Sequence, residues 1–465
     1  MKICIIPIDN RPVCYNLIQD IANIDKNIEL YLPDRKLLGD LTKNADIEGI
    51  LNWLKDLPKM DKMVLSLDTI AYGGLIPSRR SPATFEKIKN RINNLKEILK
   101  SKEAEIHAFS SIMRISNNNV NQEEKEYWNK YGKKIFEYSF NLHKNGSAET
   151  DVPQEILDDY LSTRKRNFEI NKIYLDWQKE GLFKTLVFSK DDCAEYGLNV
   201  REAQELEKLG GFTKTGADEI PLSLFSRAID KKIKVAPIFL EDSQKHLISN
   251  YEDVSIERSV LSQIELGGME VTTEENADII LIVNNFKNNQ GEIVMKKSTE
   301  PFSGKLVLPK KPYAIADVRF ANGSDNNFAD EVLKNIDKNF YGYSAWNTSA
   351  NTLGSLLCAM KVKFNAEKYS DKDFKKLQLI RFLDDWAYQA NVRQQITETK
   401  IDKEMKAFED RLKEVFEVDF NAKYSFPWNR LFEIEVQVEF NWYTFFSRST
   451  FNRCNSSSFC IRNVF

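Results

Sequence analysis

Short apolar runs that end in a polar or acidic residue alternate along the chain with longer stretches of helical periodicity. This alternation predicts a largely parallel sheet with crossover helices, because each helix returns the chain to the start of the next strand. Nine runs are long enough to be strands, which is more than one small sheet needs. The predicted strands are 3–8, 29–32, 63–67, 105–109, 185–188, 234–239, 278–283, 313–316 and 341–345.

Three of the intervening segments carry apolar residues at helical spacing. The first follows Ser81-Pro82, a polar cap and a first-turn proline, with apolar residues three or four positions apart up to Leu99. The second covers 152–181 and ends at Gly181, which suits a helix C-cap. The third covers 399–416, where mixed charges occupy the outer face.

These patterns predict an α/β protein with largely parallel sheets. We expect a TIM-barrel-like or doubly wound α/β domain over 1–230, a Rossmann-like α/β domain over 231–365 and a helical region over 366–440. The tail 441–465 is atypical because it contains no acid and no lysine. It is interpreted either as an adhesive terminal strand or as an altered end of the gene.

Composition narrows the class of protein. The chain has 465 residues, 42% of them hydrophobic, with 66 basic and 69 acidic side chains and a net charge of -3. That apolar fraction argues against a disordered chain, and the absence of a basic excess argues against a nucleic-acid partner. We find no apolar run of membrane-spanning length and no CxxC pair, so we expect a cytoplasmic protein without a membrane partner.

Carboxylates recur just after the predicted strands, at the edge of a parallel sheet where ligands bind. A single acid at such a place is often only the N-cap of the next helix. Adjacent acids add repulsion that capping does not require, and they favour a role in chemistry. The acids concerned are Asp9, Asp68, Asp191, Asp192, Asp218, Glu219 and Asp317.

Paired carboxylates are what glycosidic-bond hydrolysis requires, since one member acts as a general acid beside an ionised partner. The first hypothesis is therefore a glycoside hydrolase acting on small oligosaccharides that contain amino sugars, without a cofactor. Its candidate catalytic residues are Asp191, Asp192, Asp218 and Glu219. Its candidate substrate-binding residues are Asp9, Asn10, Arg11, Asp68, Tyr72, Gly73, Gly74, Arg79, Arg114, Tyr196, Asp317, Asn322, Asp325, Trp346 and Asn347.

Several of these residues have a second interpretation. Tyr72 or Trp346 would stack on a sugar face, but Trp346 is equally compatible with core packing. Arg11, Arg79 and Arg114 either clamp an anionic group of the substrate or pair with the neighbouring acids.

Two other classes of protein remain open. A hydrolase or phosphoryl-processing enzyme would hold Mg²⁺ or Mn²⁺ on Asp9, Asp68 and Asp317. A non-catalytic protein would bind sugars at the same edge. Under either sugar hypothesis the partner is a small carbohydrate, and the sequence predicts no oligomeric state.

Seven ordered segments together resemble a bacterial family catalogued as domain of unknown function 4127, over residues 1 to about 435. They are PIDNRPVCYN, SLDTIAYGGLIPSR, the segment around IMR, SKDDCAEYG, GADEIPLSLFSRA, ADVRFANGSD and YSAWNTSANTLG, and FPWNRLFEIEV at 426–436 extends the match. The resemblance implies relatives but no activity.

A shorter segment, LVFSKDDCAEYG, resembles the catalytic strand end of substrate-assisted hexosaminidases. This resemblance implies that Asp191 orients an acetamido group and that Asp192 is the general acid.

Overall fold

The computed structural model describes residues 1–191, 193–394, 401–428 and 431–439. Its strands are β1 (Lys2–Ile6), β2 (Glu29–Tyr31), β3 (Lys62–Ser66), β4 (Glu105–Ile112), β5 (Thr185–Lys190), β6 (Thr213–Thr215), β7 (Lys234–Phe239), β8 (Glu270–Val271), β9 (Ile279–Asn284), β10 (Gly291–Glu292), β11 (Tyr313–Asp317), β12 (Phe320–Ala321), β13 (Phe340–Ser344), β14 (Asp419–Trp428) and β15 (Leu431–Glu439).

Helices follow most of the strands, as the alternating pattern predicted. They are α1 (Pro12–Ala22), α2 (Ile47–Asp56), α3 (Leu67–Ala71), α4 (Leu75–Arg80), α5 (Phe85–Lys100), α6 (Trp128–Asn145), α7 (Gln154–Lys179), α8 (Leu198–Lys208), α9 (Ile220–Ala228), α10 (Ile256–Leu266), α11 (Asn326–Asn335), α12 (Ser349–Asn365), α13 (Asp371–Arg381), a π-helix (Phe382–Val392) and α14 (Ile401–Phe416). Among the described residues, no helix combines the length and the apolar character needed to cross a bilayer.

The first sheet is parallel and open, with the order β2-β1-β3-β4-β5-β6. It therefore has the doubly wound arrangement rather than a closed barrel. Alternate residues of β1 enter different cores: Ile3 and Ile5 pack on one face, and Cys4 and Ile6 on the other. Both faces are covered by helices, which explains why the strands read as continuous apolar runs.

The second sheet is also parallel, with the order β13-β11-β9-β7-β8. Counted from its own first strand, β7, this is the same order as in the first sheet. In each sheet the chain reverses its direction of travel at the first strand, which creates a switch point between β1 and β3 and another between β7 and β9. A ligand is expected at the carboxyl ends of such strands.

The C-terminal region contains α13, the π-helix and α14 and then forms an antiparallel hairpin of β14 and β15, which the sequence analysis did not predict. Apolar residues of the hairpin, including Phe420 and Val436, join the same core as α1 and α13. The segment 382–392 is a π-helix, a rare form that is found disproportionately at functional sites. The predicted tail 441–465 lies outside the described residues.

Truncation of Leu281 to alanine tests the packing of the second sheet. Leu281 lies at the centre of β9 and is fully buried between helices, so we expect Leu281→Ala to lower the free energy of unfolding by about 2–5 kcal/mol. Val307 is 82% exposed, and Val307→Ala is the matched control, with an expected change within about 0.5 kcal/mol. Urea denaturation measures both, and similar midpoints for the two variants would contradict the assigned core.

Candidate active site

A polar cleft of about 420 Å³ lies where the carboxyl ends of the two sheets face each other. The first sheet supplies loops after β1 to β6, and the second supplies the loops after β7 and β13. The segment after β12, which pairs with β10 in a separate two-stranded sheet, adds Asn322. The charged and polar residues that line it include Arg11, Arg114, Glu123, Lys190, Asp191, Asp218, Tyr251, Glu252, Asn322, Asn347 and Arg393. Parallel strands of both sheets thus bring their terminal loops to one site.

Arg11 links the loops after β1 and β6. Its two terminal nitrogens donate to the two carboxylate oxygens of Asp218, at 2.9 and 2.5 Å, and its Nε donates to Asp9 Oδ2 at 2.8 Å. The guanidinium is therefore occupied by protein carboxylates rather than left to clamp a substrate. Burial raises the pKa of Asp218 above its ordinary value, while Arg11 acts in the opposite direction.

Asp191 is held by two arginines at the end of β5. Arg114 Nη1 lies 3.3 Å and Arg79 Nη2 lies 3.5 Å from Asp191 Oδ2. The same arginines bond Glu124, with Arg114 Nε and Arg79 Nη1 each 3.1 Å from Glu124 Oε1. Asp192, the second acid of the predicted doublet, lies outside the described residues.

Glu252, in the loop after β7, is a cleft acid that the sequence analysis missed. It is 7% exposed, and its Oε1 accepts the backbone N–H of Ala350 at 2.8 Å near the start of α12. Its Oε2 is buried and has no hydrogen-bond partner. Burial raises the pKa of Glu252, and the nearby Ser259 hydroxyl, the charge of Lys214 and the Ala350 N–H oppose that effect only in part. This arrangement favours a neutral carboxylic acid.

Glu219 lies beneath the cleft and is fully buried. Its Oε2 accepts the N–H of Ala217 at 3.1 Å, and its Oε1 accepts Gln263 Nε2 from α10 at 3.0 Å. Gly216 has a φ of +118°, and a Cβ there would lie 1.7 Å from Glu219 Oε1. Burial raises the pKa of Glu219 to about 8, opposed by Lys214. Glu219 therefore shapes the loop that presents Asp218 and does not itself line the cleft.

The predicted residues at the end of β3 are packed into the protein. Asp68 is fully buried, and its carboxylate accepts the Ser111 N–H at 2.7 Å and the Ser110 hydroxyl at 3.1 Å. Burial raises the pKa of Asp68 to about 6. Tyr72 is 2% exposed, with Arg166 over its ring, so that ring is not available to stack on a ligand.

The two glycines after Tyr72, Gly73 and Gly74, have a structural role in the backbone that leads into α4. The carbonyl of Gly73 accepts the Ala45 N–H at 3.0 Å, and Gly74 directly precedes α4. Neither glycine lines the cleft, whereas Leu75 and Ile76, which follow them, do.

Two acidic residues, Asp317 and Asp325, lie at the carboxyl end of the second sheet. Asp317 accepts Asn284 Nδ2 at 2.9 Å and the Tyr343 hydroxyl at 3.0 Å, and burial with the nearby charge of Asp325 raises its pKa to about 7. Asp325 is the N-cap of α11, the structural role that a lone acid often has. Trp346 is 6% exposed and donates to Ser355 Oγ at 2.8 Å, so it packs in the core.

Arg319 fills the switch point of the second sheet. It is fully buried and reaches from the loop after β11 across β9, where its Nε donates to Asn284 Oδ1 at 3.0 Å. Its Nη2 donates to Glu241 Oε1, beyond the end of β7, at 2.9 Å. The side chain thus occupies the place where a ligand of this sheet would be expected.

Two further predicted residues lie away from the cleft. Asn10 is half-buried, and its backbone carbonyl accepts Arg35 Nε at 2.9 Å. Tyr196 packs edge-on against Phe140 and His143, with ring centroids 5.4 and 5.5 Å apart. Of the predicted site residues, those that line the cleft are Arg11, Arg114, Asp191, Asp218, Asn322 and Asn347.

Backbone strain concentrates at the cleft. Tyr251, Asn322 and Asn347 all line it, and all have positive φ angles of 68°, 62° and 55°. Asparagine tolerates this conformation, but tyrosine adopts it rarely. Residues held this way are enriched at functional sites.

The acids proposed to hold a divalent metal are not brought together. Asp9 pairs with Arg11, Asp68 is bonded to the Ser110–Ser111 segment, and Asp317 belongs to the second sheet. In the part of the chain that the structure describes, no three His, Cys, Asp or Glu side chains are arranged to bind a metal ion.

Fold and site together define an α/β protein of two doubly wound parallel sheets with a polar cleft between their carboxyl ends. The chain belongs to the family described as protein of unknown function DUF4127, whose model matches residues 3–437. Neither the curated proteins nor the solved structures contain a significant match.

Removal of Arg11 tests the ion pairs across the first sheet. We expect Arg11→Gln to cost about 3–5 kcal/mol at pH 8, because two nearly buried carboxylates lose their partner. The pKa of Asp218 is already raised, and it would rise further in the variant. At pH 5 the native state then binds a proton that the unfolded state does not, so the loss of stability is smaller.

Urea denaturation at both pH values measures this effect. The double variant Arg11→Gln/Asp218→Asn is the control, and it should recover part of the loss at pH 8. A loss that is equal at both pH values and unchanged in the double variant would contradict the assigned pairing.

Proposed function

We propose that this protein is a hydrolase of the glycosidase type that acts on small carbohydrates in the cleft between the sheets. The observation that carries the proposal is the presence of two cleft carboxyls in opposite environments. Glu252 is buried and has no cation within ion-pair distance among the described residues, although Lys214 acts on it from farther away, whereas Asp191 contacts two arginines. Carboxyls in such different environments are suited to divide the acid and base roles between them.

Glu252 is proposed as the general acid. Its raised pKa favours the protonated carboxyl, and its Oε2 has no hydrogen-bond partner among the described residues. In the reaction Glu252 would give this proton to the glycosidic oxygen as the bond from that oxygen to the anomeric carbon breaks. This assignment replaces the sequence-based choice of Asp192, which lies outside the described residues.

Asp191 is proposed as the ionised partner. Its Oδ2 lies within ion-pair distance of Arg79 and Arg114, and a carboxylate in this position would stabilise positive charge developing on the sugar ring or deprotonate the attacking water. Asp218 serves a different purpose under this proposal, because both of its oxygens are bonded to Arg11. It would fix the loop after β6 as a wall of the cleft.

The remaining lining supports a ligand rich in hydroxyl groups. Asn322, Asn347 and Thr348 offer amide and hydroxyl groups, which both donate and accept hydrogen bonds. Tyr251 is the aromatic residue proposed to contact a sugar face, in place of Tyr72 and Trp346. A binding protein without turnover would use the same lining, so the experiment must separate binding from catalysis.

The test compares aryl glycosides with good and poor leaving groups. A poor leaving group needs protonation, so we expect Glu252→Gln to lower kcat about 10²- to 10⁴-fold for a phenyl glycoside. The loss should be much smaller for a dinitrophenyl glycoside, which leaves without a proton. The wild-type activity on the phenyl glycoside should fall as pH rises through the raised pKa of Glu252.

Glu257→Gln is the matched control, since Glu257 lies in the first turn of α10 and is 40% exposed at its side chain. It should leave both activities unchanged. If Glu252→Gln lowered kcat equally for the phenyl and the dinitrophenyl glycosides, Glu252 would not be the general acid. Sugar binding without turnover would contradict the proposed enzyme and would support a sugar-binding protein.

A further inference from the structure

One arginine of the cleft differs from the other cations there. Arg11 pairs with Asp9 and Asp218, Arg114 pairs with Glu123, Glu124 and Asp191, and Lys190 pairs with Asp253. Arg393 also lines the cleft, but among the described residues no carboxylate lies within ion-pair distance of it. Its side-chain partner is a neutral amide, Gln389 Oε1, which accepts from Nη1 at 2.7 Å.

Gln389 connects Arg393 to a group of charges at the start of the π-helix. Gln389 Nε2 donates to Asp384 Oδ1 at 3.0 Å, and Asp384 and Asp385 share Arg381, whose Nη2 and Nη1 lie 3.1 and 3.2 Å from Asp384 Oδ2 and Asp385 Oδ1. A guanidinium carries five N–H donors, and Gln389 takes one of them. Arg393 is half-buried and lines the cleft.

The backbone holds Arg393 in a defined place. The N–H of Arg393 donates to the carbonyl of Tyr388, five residues earlier, at 2.8 Å, so the π-helical register persists up to this residue. The same helix packs on the loop after β12, where a Cβ on Gly323 would lie 3.2 Å from Ala390 N. Asn322 of that loop also lines the cleft. A positively charged fork therefore stands beside neutral amide groups.

We infer that Arg393 binds an anionic group of the ligand, so that the substrate class is an acidic sugar that carries a carboxylate or a phosphate. This inference rests on the proposed function and specifies its substrate. A guanidinium binds either oxyanion through two parallel hydrogen bonds, and the unpaired charge favours an anion over a neutral hydroxyl.

Binding is measured first, because it does not depend on turnover. Calorimetric titration of the wild-type protein with a free uronic acid, a hexose 6-phosphate and a neutral hexose should show tighter binding of one or both acidic sugars. In Arg393→Gln that binding should weaken about 10- to 100-fold, the loss expected when hydrogen bonds to a charged group are removed. Arg393→Lys should retain part of it.

Arg258→Gln is the control, because Arg258 is exposed on α10 and the substitution makes the same change of net charge. It should bind the acidic sugars like the wild type. Melting temperatures of both variants within a few degrees of the wild type would establish that they fold. Comparing the affinities for the uronic acid and the hexose 6-phosphate shows whether Arg393 binds a carboxylate or a phosphate.

Turnover of aryl uronides, aryl 6-phosphoglycosides and neutral aryl hexosides then separates this inference from the proposed function. A KM that rises in Arg393→Gln for the acidic substrates alone supports both. Turnover of acidic and neutral glycosides alike, with kinetics that Arg393→Gln does not change for either, overturns the inference and leaves the proposed function standing. Binding of acidic sugars that depends on Arg393, without turnover of any glycoside, supports the inference and overturns the proposed function.

Discussion

The cleft depends on the buried carboxyl of Glu219, which lies where the two sheet units meet. Its two oxygens are bonded to Ala217, in the loop after β6, and to Gln263, on a helix of the second sheet. Its aliphatic part lies against Gly354 of α12, where a Cβ would come within 2.5 Å of Glu219 Cγ. One side chain thus sets the loop that carries Asp218 and the distance at which α12 approaches it. The buried Glu219 side chain therefore positions the walls of the cleft above it.

Electrostatic pairing organises the cleft above this junction. The guanidinium of Arg11 is satisfied by Asp9 and Asp218, and the two arginines at Asp191 are shared with Glu124. Most charges brought together by the converging loops are thus balanced within the protein. Two groups depart from this balance: Glu252, which has a buried oxygen without a partner, and Arg393, which has no acidic partner among the described residues. These are the groups on which the proposed chemistry and the inferred substrate class rest.

Much of the fold could be predicted from the sequence, because both sheets are parallel and buried on both faces. Each long strand is then a continuous apolar run. Strand β6 was missed because Thr213–Thr215 is short and contains a lysine. The hairpin was missed although Phe432, Ile434, Val436 and Val438 alternate with polar residues, a period typical of a strand with one buried face.

The candidate site could be predicted only in part. Position after a strand brought Asp191 and Asp218 to the cleft, but the same rule also selected Asp68 and Asp325, which bond to nearby backbone. A sequence does not separate these outcomes, because a cap and a cleft acid occupy equivalent places. Glu252 follows a long irregular segment after β7 and has no apolar run beside it.

The two sheets share one strand order but treat their switch points differently. In the second sheet Arg319 spans β9 and bonds Glu241 and Asn284, so the chain has its own resident occupant there. A ligand binding at the switch point of the second sheet would have to displace the Arg319 guanidinium, which is fully buried and makes several hydrogen bonds. The second half of the protein therefore contributes only lining residues to the cleft between the sheets. These residues include Tyr251, Glu252, Asn322 and Asn347. A strand order present twice thus leaves one open cleft and one switch point filled by a side chain of the protein itself.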